Sequence, residues 1–161
     1  MERIQHPFQP VVDENCRILI LGSFPSLKSR EDGFYYGHPQ NRFWRMLAAV
    51  YEEEMATDIP AKQTFLLRHH IALWDVIASC QIEGSSDASV KEAVPVDIER
   101  LIHVANIEKV ICNGNLAMKL YHQHLEQKVG LKAIGMPSTS PANAACSLMK
   151  LVETWRTALL Q

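Results

Sequence analysis

The sequence predicts an α/β fold, a three-layer α/β/α sandwich around a central parallel sheet of about four strands. Short unbroken apolar runs, such as Ile18 to Leu21, suit strands buried on both faces, as parallel strands are. Stretches with apolar residues at helical spacing separate those runs. Alternating strands and helices imply parallel βαβ units with right-handed crossovers. The chain has 161 residues, 47% of them hydrophobic, which is enough for one domain with a core. No internal repeat, low-complexity segment or linker divides it, so residues 1–161 read as one domain with residues 1–15 as an N-terminal arm.

Met1 to Asn15 holds Pro7 and Pro10 and shows little periodicity, hence the arm. Arg17 to Leu21 is the first strand. Gly22 ends it, and Pro25, Gly33, Gly37 and Pro39 oppose both helix and strand, so an irregular loop is expected up to Asn41. That loop carries Phe34, Tyr35 and Tyr36 together with Ser23, Ser26, Ser29, Gln40 and Asn41. Long loops of such composition are functional rather than disordered. Asn41 to Tyr51 reads as a helix, with Phe43, Trp44, Leu47, Ala48 and Tyr51 at helical spacing. A second helix starts after Pro60 and runs to about His69.

Ile71 to Ala78 reads as one short strand and Gln81 to Pro95 as mostly loop. Asp97 can cap a helix carrying Ile98, Leu101, Ile102 and Ala105. Lys109 to Cys112 is the third strand, and Asn113-Gly114-Asn115 turns it into a helix from Leu116 to Gln127. Leu131 to Met136 is the fourth strand. Ser140 is a natural N-cap with Pro141 at the first helical position. The last helix then carries Leu148, Leu151, Val152, Trp155 and Leu159 on one stripe.

In open α/β sheets, ligands bind beyond the carboxyl ends of the strands. The residues there are Gly22 to Ser26, Asp75, Asn113 to Asn115 and Pro137 to Ser140. They are small, amide, hydroxyl or carboxylate groups, a set suited to a polar ligand. Ser-rich turns at helix N-termini also suit phosphate, because free N–H groups point outward there. Plainer readings stand beside these. Asn113-Gly114 can be turn chemistry alone, Ser138 or Ser140 can simply cap, and Asp75 can pair with an Arg or Lys. Tyr35 and Tyr36 can be core aromatics, but glycines flank them and favour a presented ring for Tyr36. Lys28, Arg30, Arg42 and Arg45 give the region a modest positive footprint.

The net charge of −2 neither demands nor forbids a polyanion partner. No apolar run approaches the roughly 20 residues of a membrane span. The N-terminal residues lack a signal-peptide apolar region, so a cytoplasmic protein is expected. Cys16, Cys80, Cys112 and Cys146 form no C-x-x-C pair and read as free thiols in a reducing compartment. Neither His69-His70 nor His122-x-His124 puts two rings on one helical face, so no metal and no cofactor are expected.

Gly22-Ser23-Phe24-Pro25-Ser26, the block Gly37-His38-Pro39-Gln40-Asn41-Arg42-Phe43-Trp44, and Met136-Pro137-Ser138 resemble the uracil-DNA glycosylase superfamily. The His-Pro-x-Asn-Arg-Phe-Trp block is similar to that of the mismatch-specific G:T/U branch. With Gly33-Phe34-Tyr35-Tyr36-Gly37 added, the pattern most resembles the hypoxanthine-DNA glycosylase branch. The likeness implies a base-excision enzyme that flips a deaminated base out of DNA and hydrolyses its N-glycosidic bond, and a monomer is expected. It implies Asn41 as the catalytic residue that orients water, and Gly22, Ser23, Phe24, Tyr36 and Asn113 around the base. Tyr36 falls where the mismatch-specific branch stacks a Phe. Backbone N–H groups around Gly22 to Phe24 would stabilise charge on the departing base. Ser26, Ser138, Thr139 and Ser140 would meet DNA, with Thr139 to Asn143 as a wedge.

Two departures bear on the chemistry. Many relatives carry Asn, Asp or Glu where this chain has Phe24, which cannot orient water. Met136 stands where many have His or Asn. The first shifts the expected pocket from uracil towards a purine, and the second removes a polar group that would stabilise the leaving base from that side. The matching motifs hold no Lys nucleophile, so no lyase step is expected. Phe24 also keeps open a non-catalytic nucleic-acid or nucleotide binder on the same fold. A Ser hydrolase using Ser23 is a third reading, but Ser23 lacks the G-x-S-x-G elbow.

Overall fold

In the structure, a computed structural model that describes residues 2–161, the chain opens with β1 (Arg3–Gln5) and reaches the central sheet at β2 (Ile18–Gly22). Then come α1 (Leu27–Asp32), α2 (Phe43–Tyr51) and α3 (Ile59–Arg68). β3 (Ile71–Asp75), β4 (Ile77–Gln81), β5 (Lys91–Pro95) and α4 (Ile98–Ile102) follow. β6 (Lys109–Asn113), α5 (Asn115–His124), α6 (Glu126–Val129), β7 (Ala133–Met136) and α7 (Leu148–Leu160) come last.

β2, β3, β6 and β7 form the expected four-stranded parallel sheet, in the order β3-β2-β6-β7. Leu19 to Leu21, Ile71 to Leu73 and Val110 to Cys112 are fully buried, which is why these runs are continuously apolar. Helices cover the sheet. α2 packs on α7, with Phe43 meeting Trp155 edge-on at 6.2 Å. α5 lies on β6 and β7, beside α6, and α4 packs on α6. From β2 the chain goes out to β3 and then returns to β6 on the other side of β2. That reversal makes the β2–β6 crevice the switch point, where open α/β sheets bind ligands.

The expected single strand from Ile71 to Ala78 is two strands. The chain leaves the parallel sheet after Asp75, and β4 joins an antiparallel sheet in the order β1-β4-β5. The apolar run continues because both strands are buried, which hides the break between them. β1 lies within the arm, and Val11 bridges Leu73. The partners of these residues are remote in sequence, so no local pattern marks them. Met1, the first residue of the expected arm, lies outside the described residues.

The loop after β2 contains α1, although it was expected to be irregular throughout. Ser26 caps α1 by accepting from the Ser29 N–H, and Gly33 closes it at φ 85°. Asp97 makes no side-chain cap at α4. Ser147, not Ser140, caps the last helix by accepting from the Lys150 N–H. The Ser140 hydroxyl accepts instead from Ala142 N–H in a local turn, the competing use of a short polar side chain. No helix among the described residues is long and apolar enough to cross a membrane.

Candidate active site

Parallel register lines up the four strand ends. Gly22 is level with Asp75, and Asn113 with Met136. Leu21 pairs with Cys112, so Asn113 follows one step beyond, beside Gly22. These ends and the segments after them border a cleft of about 880 Å3. Gly22, Ser23, Phe24, Ser26, Tyr36, Asn41, Asn113, Ser138, Thr139 and Ser140, the site expected from sequence, all line it. What each side chain can do there differs.

Asn41 is fixed by its acceptor. Its Oδ1 accepts from the Phe43 N–H and from the Thr139 hydroxyl, each at 2.9 Å. A backbone N–H can only donate, so this atom must be the amide oxygen. Both lone pairs are then used. The Nδ2 amine has no acceptor among the described residues and remains to donate into the cleft. Asn113 is locked similarly: its Oδ1 accepts from the Thr139 N–H and its Nδ2 donates to Thr139 Oγ1, both at 3.0 Å. Thr139 is fully buried between the two amides. That corrects its expected place among the DNA-contacting residues: it positions Asn41 and Asn113.

Tyr36 sits at φ 56°, a left-handed backbone that non-glycine residues rarely adopt. One ring face stacks on Phe43, with centroids 4.1 Å apart, and the ring still borders the cleft. Its hydroxyl is buried and makes no hydrogen bond of good geometry among the described residues, although the Asn113 side chain lies close enough to oppose part of the rise in its pKa. Burial first, then the nearby Asp75 carboxylate, pushes that hydroxyl's pKa far upward, so it stays protonated. Tyr35 is core, as the plainer reading allowed, and donates its hydroxyl to the Gln9 carbonyl at 2.8 Å. Gly22 makes room for its neighbours. A Cβ there would lie 2.4 Å from Asp75 Oδ1 and 2.7 Å from the Tyr36 oxygen. Asp75 pairs with neither Arg nor Lys. It meets His6 of the arm, Nε2 to Oδ2 at 2.7 Å.

Ser23 donates to Asp87 Oδ1 at 3.1 Å. Partial desolvation of that carboxyl raises the Asp87 pKa although the residue as a whole is exposed, the Ser23 hydrogen bond opposes the rise, and repulsion from Asp75 adds to it. The Ser23 hydroxyl is donated to Asp87 rather than to an imidazole, and His6 is committed to Asp75 and Phe8, which goes against the Ser hydrolase reading. Phe24 packs edge-on to His6 with the Arg30 guanidinium 5.7 Å over its ring. Ser26 spends its hydroxyl on Ser29, which limits the DNA contact expected of it.

Residues 138–146 form a folded turn. Ser138 Oγ accepts from the Ser140 N–H at 3.1 Å, and Asn143 donates to the Ser138 carbonyl at 3.0 Å. Arg42 holds this turn by donating to the carbonyls of Ser140, Asn143 and Cys146. Arg30 and Arg45 likewise donate to backbone carbonyls, and Lys28 pairs with Asp32 at 3.2 Å. The arginines keep their charge, because carbonyls neutralise nothing, but their geometry is set by the protein. Among the described residues, no group of three or more His, Cys, Asp or Glu could hold a metal ion.

The sequence pattern of the uracil DNA glycosylase superfamily matches residues 9–159, nearly the whole span that builds this cleft. The chain belongs to that superfamily. It is accordingly a DNA glycosylase, a hydrolase of N-glycosyl bonds. Two curated relatives of this glycosylase are named hypoxanthine DNA glycosylase. The Methanosarcina barkeri protein is 34% identical over 138 residues, covering 84% of this chain and 86% of its own. The Methanosarcina acetivorans protein is 35% identical over 142 residues, covering 87% and 89%. A solution NMR structure from Methanosarcina acetivorans, described as a candidate uracil DNA glycosylase, superposes with a TM-score of 0.82 at 32% identity, covering 96% of both chains.

Sequence reasoning missed one group that lines this glycosylase's cleft, Asp87, and two that hold its lining in place, His6 and Arg42. His6 is 69 residues from Asp75 and has no pattern to announce it. Asp87 sat in a stretch read only as loop. Arg42 read as surface charge, yet three carbonyls surround its guanidinium.

Proposed function

We propose that this glycosylase removes hypoxanthine from deoxyinosine in DNA, with xanthine and uracil as further substrates, and that it is monofunctional. The observation that carries the reading is the Asn41 amide, locked through Oδ1 and free to donate through Nδ2, in the same cleft as the Tyr36 ring. The names of the two curated relatives support hypoxanthine as the leading base. The absence of a polar side chain at Phe24 supports a purine over uracil.

The target nucleotide turns out of the duplex and its base stacks against Tyr36. Asn41 Nδ2 donates to one lone pair of a water and leaves the other aimed at the sugar. An amide cannot take a proton, so the C1′–N9 bond breaks ahead of attack and the sugar becomes oxocarbenium-like. Backbone N–H groups from Gly22 to Phe24 meet the negative charge growing on the base. Water then adds at C1′, and its proton passes to solvent or to the leaving base. No Lys lines the cleft, so no Schiff base forms and the abasic strand stays intact. Ser138 and Ser140 lie at the rim, where DNA phosphates pass. The alternative, a binding paralogue without chemistry, has no use for an amide fixed so closely.

The test is release of free hypoxanthine from an inosine duplex, against the same duplex carrying adenine. The expected result is base release, with strand scission only after alkali. Binding without release identifies the paralogue instead.

A further inference from the structure

The floor of the cleft holds an acidic group that the chemistry above leaves unused. Asp75 ends β3 with its side chain 4% exposed, and its Oδ2 is held by His6, itself 5% exposed. Nδ1 of His6 accepts from the Phe8 N–H at 3.1 Å, which puts the ring proton on Nε2, facing the carboxylate. The Phe8 carbonyl stands at the same 3.1 Å from Nδ1. His6 therefore fixes the carboxylate by one oxygen. The other, Oδ1, accepts no side-chain hydrogen bond among the described residues and lies beside the Gly22 Cα, where any side chain at Gly22 would clash with it. The Tyr36 hydroxyl, also beside Gly22, is buried and makes no hydrogen bond of good geometry among the described residues. Buried polar groups are normally paired, so an unpaired buried hydroxyl beside a carboxylate oxygen left open to the cleft points to a polar ligand.

We propose that Asp75 is a specificity residue that accepts a hydrogen bond from the ring N–H of a lactam base, and that His6 is its positioning residue. Deamination makes that N–H. Adenine and cytosine present a bare ring nitrogen on this edge, whereas hypoxanthine, xanthine and uracil present N–H beside a carbonyl. A carboxylate oxygen with its partner oxygen tied down can accept and cannot donate. It bonds the deaminated base and opposes the parent base lone pair to lone pair. Guanine and thymine also carry a lactam, so their rejection lies elsewhere in the pocket. The inference rests on the glycosylase reading and adds how the base is chosen.

The experiment measures single-turnover release of hypoxanthine and of unsubstituted purine, which has a bare N1, from otherwise identical duplexes. Wild type, Asp75→Asn, His6→Ala and His6→Gln are compared, each with its melting temperature. Wild-type release from the inosine duplex tests the glycosylase reading independently. Asp75→Asn, which can offer an N–H, is expected to shrink the hypoxanthine-to-purine ratio by about tenfold or more. His6→Ala is expected to shift it the same way, and His6→Gln, whose amide can still donate to Oδ2, to recover much of it. A ratio unchanged in Asp75→Asn while both rates fall equally overturns the proposal and makes Asp75 a general base or a structural residue. An unchanged ratio in a folded His6→Ala removes His6 from the role.

Discussion

Thr139 donates its hydroxyl to Asn41 Oδ1 across 2.9 Å, and it receives the Asn113 amide at the same oxygen. One buried threonine thus joins the loop after β2 to the end of β6 and the turn after β7. Three segments far apart in sequence become one rigid wall. The free face of the Asn41 amide depends on it.

Thr139→Val keeps the shape and removes that hydroxyl. Asn41 loses one of its two locks, and an Asn113 N–H loses its acceptor. Stability is expected to fall by about 1–3 kcal/mol. Single-turnover excision is expected to fall with it, by about tenfold, while DNA affinity changes little. Denaturant melts and rapid-quench assays read the two effects separately.

Gly22→Ala places a methyl 2.4 Å from Asp75 Oδ1 and 2.7 Å from the Tyr36 oxygen. Neither neighbour can retreat freely, since His6 holds one and Phe43 stacks on the other. The variant is expected to lose about 1–3 kcal/mol by overpacking and most of its excision rate. Full activity in a folded variant would show that the floor is looser than these distances imply.

Arg42→Lys cannot serve three carbonyls, because an ammonium lacks the planar fork of a guanidinium. Amides of residues 138–146 are expected to exchange faster with solvent deuterium, and the affinity for undamaged DNA to fall. The sheet should keep its protection, which separates a local loosening from general unfolding.

Tyr36→Phe removes a hydroxyl that is buried and unpaired. It is expected to melt at or above the wild-type temperature. Tyr36→Ala removes the stacking platform and is expected to weaken binding of the lesion duplex by about 1–3 kcal/mol. Titrations with lesion and undamaged duplexes separate stacking from general DNA contact.

Asp87 has its pKa raised in the folded state, chiefly because crowding by the cleft wall partly strips water from its carboxyl, although the residue as a whole is exposed and the effect is therefore small. The folded protein therefore holds that proton more tightly than the unfolded chain. Its contribution to stability is greatest below the ordinary carboxylate range and declines as pH climbs through the raised value. Asp87→Asn, which can still accept from Ser23, is expected to melt above wild type at neutral pH. The difference should close as the pH falls below that range.

The sheet was legible because burial on both faces writes itself as unbroken apolar runs, as at Ile18 to Leu21. The cleft was legible because its residues follow those runs directly. What escaped depends on distance. His6 reaches Asp75, and Arg42 reaches Cys146, through folds that no window of sequence spans. Helix α1 was missed for another reason: the prolines and glycines around it read as breakers, although Ser26 and Gly33 are a start and a stop. Ser140 misled because a short hydroxyl before proline caps a helix or closes a turn with equal ease.

The most direct test compares wild type with Asn41→Ala on one inosine duplex, measuring single-turnover release and binding side by side. With Nδ2 as the donor that orients water, the variant should bind the duplex as wild type does and release hypoxanthine about a hundredfold more slowly or worse. A variant that binds and cleaves at the wild-type rate would contradict the role of Asn41 while leaving the family and the fold intact.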